Sequence, residues 1–172
     1  MIYSTHIAPC SLFDGPEYDL IFNFKPGNEV YVSRQDTSDP LSACSKYGFY
    51  LDDAEWPSVE HYYQAMKFED DETREKIRLA PHPRDASILA KQYKKRIRKD
   101  WDKIRATVMT RGTYIKCRTH QAVANALLET GDSKIVENSQ YDYFWGCGRD
   151  GRGKNTYGQV LMDIRDKLAE LE

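Results

Sequence analysis

Cysteine is sparse and scattered in this chain: Cys10, Cys44, Cys117 and Cys147 form no C-x-x-C pair. Neither a zinc site nor a disulfide framework is expected, and no other metal or cofactor is indicated. Long apolar runs are missing too, since no stretch approaches the roughly 18 residues of a membrane span. The opening segment, MIYSTHIAPCSLFDG, has no basic leader and no apolar core of about 7–15 residues, so no secretory signal is expected. Reduced thiols, no membrane partner and a cytoplasmic location follow as expectations. Internal repeats and low-complexity linkers are also lacking.

What is present is the composition of an ordinary globular protein: 172 residues, 40% hydrophobic, 30% charged, with a formal net charge of −2. That length suits one domain over residues 1–172, able to bury about 70% of its unfolded surface. The near-neutral total conceals an asymmetry. Residues 1–60 hold ten Asp/Glu against three Lys/Arg, whereas residues 91–118 hold eleven Lys/Arg against two Asp. A basic block of this kind suits either a phosphate-bearing partner or solvated helix faces.

Short β-favouring runs (Leu20 to Phe22, Val30 to Val32, Phe49 to Leu51) alternate with turn makers such as Pro26-Gly27-Asn28. From Pro57 the character changes to helix. Ser58 is a good N-cap, and helices are expected over 59–69, 73–79 and 83–93, the second stopped by Ala80-Pro81. Trp101, Ile104, Val108 and Ile115 recur at helical spacing over 99–117; Val123, Leu127 and Leu128 continue the pattern beyond it. Lys134 to Glu137 suits a short strand, and Tyr157, Val160, Leu161, Ile164 and Leu168 mark a C-terminal helix. Strands first and helices afterwards predict an α+β fold, mainly helical, with a few short strands in the N-terminal third.

Two stretches carry candidate chemistry. In WPSVEHYYQAMKF, residues Glu60, Gln64 and Lys67 fall at i, i+4 and i+7, one polar stripe among Val59, Tyr63, Met66 and Phe68. An exposed Glu/Gln/Lys ladder would read the same, so the stripe alone decides nothing. The second stretch, YDYFWGCGRDGRGKNTYGQ, runs four glycines and the cations Arg149, Arg152 and Lys154 into a helix that Asn155 can cap. Inward-turned N–H groups and the positive end of a helix would hold a phosphate there. Trp145 offers a face for a base, with core packing as the competing reading; Trp101 reads more readily as core. Gly148, Gly153, Lys154 and Asn155 stop one residue short of a P-loop motif, which needs Ser or Thr last, and the surrounding sequence supplies no parallel sheet for one.

Together these residues resemble the NADAR superfamily, whose bacterial members include N-glycosidases acting on riboflavin-biosynthesis intermediates. The resemblance spans roughly residues 30–170 and rests on ordered motifs: WPSVEHYYQAMKF; Trp101 with Met109 and Lys116; LLETG at 127–131; Ile135-Val136-Glu137; Asp142 with Trp145-Gly146; and Gly153 to Arg165. Leu41-Ser42-Ala43-Cys44 departs from the Leu-Ser-Asn-Phe usual in the family, and residues 1–28 carry no readable motif.

The resemblance implies hydrolysis of the bond between ribose C1′ and nitrogen in a phosphorylated ribosylamine, releasing ribose 5-phosphate. It points to Glu60, Lys67 and Asp142 as catalytic. Gln64, Trp145, Gly146, Arg149, Arg152, Lys154 and Asn155 become the candidate substrate-binding residues. Lys67 has two possible roles, a protonated phosphate ligand or a dehydrated amine that attacks C1′. Two alternatives accompany this reading: removal of ADP-ribose from guanine in nucleic acid, with segment 91–118 on the backbone, and a non-catalytic nucleotide-binding module.

Overall fold

A computed structural model describes residues 28–171; the expected strand at Leu20 to Phe22 and most of segment 1–28 lie outside them. The described chain runs β1 (Glu29–Val32), β2 (Phe49–Leu51), β3 (Ala54–Trp56), α1 (Val59–Ala65), α2 (Asp71–Arg78), α3 (Pro83–Gln92), a 3₁₀ turn (Lys94–Arg96), α4 (Trp101–Thr119), α5 (Gln121–Leu128), β4 (Lys134–Glu137) and α6 (Thr156–Ala169). The fold is α+β and mainly helical, as the sequence predicts.

β2 and β3 form an antiparallel hairpin pairing Phe49 with Trp56. Asp52 and Asp53, both at positive φ, make its two-residue turn, the backbone that a tight hairpin requires. β1 pairs with β4 in parallel, Val32 opposite Glu137, and so joins the start of the described chain to the strand that follows helices α1 to α5. A pairing of two four-residue strands about a hundred residues apart leaves no local signal.

Helix α1 is the centre of the molecule. Ser58 Oγ accepts from His61 N at 3.3 Å, and every residue from Val59 to Ala65 is buried. A helix buried on all sides has no solvated face, so its polar residues need partners. His61 meets that need outside the chemistry, bonding Ser58 Oγ through Nδ1 and Ala80 O through Nε2. α4 packs closely on α1 because position 112 is glycine: a Cβ there would come within 3.0 Å of Tyr62 Cδ1.

The expected helix over 59–69 is corrected at its C-terminal end. α1 stops at Ala65 with Met66 as its cap, because Phe68 turns into the core and the carbonyl of Lys67 accepts from Arg98 N at 2.9 Å. Asp70 then caps α2 through Thr73 N. Lys67 therefore belongs to the turn after α1, not to its helical stripe.

The basic stretch 91–118 is divided among internal contacts. Arg96 pairs with Asp70, Arg98 with Asp100 and Arg111 with Asp52, at 2.9, 2.6 and 2.8 Å. Lys116, fully buried, donates to Pro40 O and Ser42 O at 2.8 Å and to Ser45 Oγ at 3.2 Å. Burial pushes its amine down to about 8. At neutral pH its three N–H donors therefore still match three acceptors.

This lysine ties down the segment whose Ala43 carbonyl accepts from Glu60 N at 2.9 Å. Lys116→Met would strand those acceptors and is expected to cost about 3 kcal/mol, lowering the melting temperature by roughly 6–12 °C. Scanning calorimetry checks this, and an unchanged melting temperature contradicts it.

Candidate active site

Four segments converge beside α1: the loop after β1, the turn after α1, the first turns of α4, and the loop between β4 and α6. Glu60 is only 6% exposed, with Oε1 accepting from Gln64 Nε2 at 2.7 Å. Its Oε2 lies 3.4 Å from Arg34 Nη1, and Arg34 Nη2 lies 3.5 Å from Asp142 Oδ2. One guanidinium thus separates the two carboxylates named as candidates. Burial opposes the charge on Arg34, yet Glu60, Tyr63, Asp142 and Glu137 together hold it above the usual arginine range.

Arg34 is fixed through its backbone as well. Its N–H donates to Glu137 Oε1 at 3.1 Å, and the same carboxylate accepts from Ser139 Oγ and Ser139 N. Glu137, at the end of β4, is wholly buried and brackets the β1 loop to the start of the Asp142 loop. Asp142 Oδ1 in turn accepts from Phe144 N and Trp145 N at 3.0 and 2.8 Å, which leaves Oδ2 for Arg34.

Lys67 presents its ammonium to aromatic faces rather than to a carboxylate. Nζ lies 5.3 Å from the Tyr63 centroid and 5.9 Å from that of Trp101. Burial is the main cause that pulls its pKa below the usual lysine range, opposed by Glu60 and reinforced by Arg34, Lys91 and Arg105. Tyr63 is pushed up to about 12 by burial. Gln64 leaves Oε1 buried with no partner among the described residues.

Several binding assignments change. Trp145, expected to stack on a base, is 4% exposed; its ring is edged by Tyr63 and Phe144, and the Arg34 guanidinium sits 5.6 Å from its centroid. It is a wall of the site and a seat for Arg34. At Gly146 any Cβ would overlap Glu137 Oε2 and Ser139 O, so glycine there serves the close approach of the loop to β4. Asn155 occupies the N-cap position of α6, yet its side chain makes no cap hydrogen bond. It accepts from Glu137 N and donates to Ile135 O, both at 2.8 Å, which spends its amide on β4 rather than on a sugar.

The expected phosphate cradle at the start of α6 is also corrected. The N–H groups of Lys154, Asn155, Thr156 and Tyr157 donate to the carbonyls of Tyr143, Gly146, Phe144 and Trp145, so the loop's own carbonyls fill that helix end. Arg149 is exposed, and Arg152 is 76% exposed and pairs with Asp150. Lys154 lies at the aromatic wall, 5.9 Å from the Phe144 centroid.

Reading the sequence left out Arg34, Tyr63, Glu137 and Arg105. One signal for Arg34 was available, since it is one of only three cations among the first sixty residues. Among the described residues no cluster of three or more His, Cys, Asp or Glu could hold a metal, and no helix is long and apolar enough to cross a membrane.

A buried glutamate and a second carboxylate thus meet on one arginine, beside a partly buried lysine set over aromatic rings. The NADAR domain matches residues 22–169. The N-glycosidase Npun_R5314 of Nostoc punctiforme is 38% identical over 76% of this chain and 86% of its own length.

The N-glycosidase YbiA of Escherichia coli is 35% identical over 88% of this chain and 90% of its own. Its NMR structure matches with a TM-score of 0.75 at 33% identity, covering 87% of this chain and 90% of that one. The riboflavin biosynthesis protein VVA0006 of Vibrio vulnificus is 43% identical over 67% of this chain, which spans 31% of that protein. The chain belongs to the NADAR family, and with it to the hydrolases that act on N-glycosyl compounds.

Proposed function

We propose that the chain hydrolyses the bond between ribose C1′ and the amino nitrogen of a ribosylamino-pyrimidine 5′-phosphate in riboflavin biosynthesis, releasing ribose 5-phosphate. The observation that carries this is buried Glu60, held by Arg34 and Gln64 at one end of the Tyr63 wall on which the Lys67 amine also sits. The name of the Vibrio vulnificus relative supports the pathway.

Lys67 Nζ, unprotonated, attacks C1′ as the C1′–N bond breaks. Glu60 takes the proton that the attacking nitrogen gives up and passes it to the departing amine, so charge balances on both sides. The ribose ring then opens, its ring oxygen taking up the second proton that Nζ gives up, to leave a Schiff base on Lys67; water adds to that carbon, and the C–N bond to Lys67 breaks, freeing ribose 5-phosphate and the lysine amine. Positive charge grows on the sugar along this path. Glu60 and Asp142 stabilise it, while Arg34 holds the two carboxylates apart and together. Gln64 fixes Glu60 through its 2.7 Å hydrogen bond.

Incubation of the purified protein with the ribosylamino-pyrimidine phosphate is expected to release ribose 5-phosphate and free aminopyrimidine in equal amounts. Intact substrate overturns the proposal. Release of ADP-ribose from ADP-ribosylated guanine would favour the nucleic-acid alternative, which the internal pairing of Arg96, Arg98 and Arg111 does not support.

A further inference from the structure

The wall of the site is a chain of four rings. Trp101 meets Tyr63 at 5.0 Å between centroids, Tyr63 meets Trp145 at 5.5 Å, and Trp145 meets Phe144 at 4.8 Å. Cations sit along its whole length: Lys67 at Trp101 and Tyr63, Arg34 at Trp145, and Arg105 and Lys154 at Phe144. Their states of pairing differ. Arg34 has two carboxylates, whereas Arg105 has one loose ion pair with Asp102, 3.7 Å away on an acid that is 85% exposed and screened by water.

Arg105 is nonetheless held in place. Its guanidinium carbon lies over the Phe144 ring, 3.5 Å from the centroid, a close cation–π contact. Its Nε is buried with no acceptor among the described residues. A seated guanidinium with an unmet buried donor, whose paired acid is exposed to water, is a prepared anion site, since such a fork matches phosphate oxygens in pairs. Its influence reaches the chemistry, because Arg105 is among the charges that act on both Lys67 and Tyr63.

The N–H groups at the start of α6, the competing place for an anion, are already filled by loop carbonyls. We propose that Arg105 on its Phe144 seat, assisted by Lys154, is the subsite for the 5′-phosphate of the substrate. This rests on the proposed reading of the same pocket and deepens it. With the phosphate on Arg105, Lys67 is left free to attack C1′.

Binding of ribose 5-phosphate and of unphosphorylated ribose, measured by calorimetry on the full chain, tests the assignment without needing turnover. Wild type is expected to bind the phosphorylated sugar far more tightly. Arg105→Met should weaken ribose 5-phosphate by about tenfold to a hundredfold, the loss of charged hydrogen bonds, with ribose unaffected. Arg105→Lys, which keeps the charge and loses the planar fork, should fall between them. Lys154→Met should cost roughly threefold to tenfold, and Arg149→Gln/Arg152→Gln should stay within about twofold of wild type.

Arg105→Met and Arg105→Lys proteins that both bind as wild type does, or a wild type indifferent to the phosphate, overturns the subsite. Tight, Arg105-dependent binding of ribose 5-phosphate without any release of it from the ribosylamine upholds the subsite and overturns the proposed reaction.

Discussion

Lys67→Met lowers turnover by roughly four to six orders of magnitude while ribose 5-phosphate binding stays close to that of wild type, the expected result when a nucleophile is removed and the phosphate is held elsewhere. An ordinary exposed lysine is a poor nucleophile at neutral pH because its pKa lies about three units higher. Here the amine is in the turn after α1 over the rings of Tyr63 and Trp101, where burial favours the neutral form. The sign of the pH dependence follows. The rate should climb as pH rises through the lowered pKa of Lys67 and flatten below pH 10.5, the ordinary lysine value. Lys67→Arg should not rescue, since a guanidinium stays protonated throughout. Steady-state kinetics across pH checks this, and a Lys67→Met protein with even a tenth of wild-type turnover contradicts it.

Arg34→Met is expected to damage both stability and rate. It removes the one cation between Glu60 and Asp142 and leaves a 6%-exposed carboxylate whose nearest remaining partner is the Gln64 amide. Stripping one partner from a buried pair costs about 3 kcal/mol, and loss of the arrangement that holds two charges at the sugar lowers turnover by about a hundredfold to a thousandfold. Arg34→Lys should recover part of the stability but less of the rate, because an ammonium does not span two carboxylates as a planar fork does. Urea denaturation beside kinetics separates the two effects. A methionine variant within 0.5 kcal/mol of wild type would contradict the buried-pair account, taking that as an order-of-magnitude threshold.

The helices were legible because their signals are local. Ser58 and Pro83 mark starts that the structure reproduces, the helix expected from 73 begins two residues earlier behind its Asp70 cap, and the apolar spacing from Trp101 and from Tyr157 gives α4 and α6. The end of α1 was not legible, because burial of Phe68 and the Arg98 contact to Lys67 are tertiary demands that override helical spacing. The parallel β1–β4 pair was hidden for a related reason, as register across about a hundred residues is set by the packed helices between.

At the site, Glu60, Gln64, Lys67 and Asp142 were nominated from the sequence, and the structure brings them around Arg34 and Tyr63. The glycine-rich loop misled because glycine and lysine before a helix suggest an anion cradle, whereas here those N–H groups close on the loop's own carbonyls. Arg105 was invisible in a run of eleven cations, because its 3.5 Å approach to Phe144 is a tertiary contact with no local signal.

Borohydride reduction during turnover tests the central lysine most directly. Reduction should fix the opened ribose phosphate to the peptide containing Lys67, visible by mass spectrometry as one covalent adduct that needs substrate and is missing in Lys67→Met. Normal product release with no adduct on Lys67 would contradict the Schiff-base path.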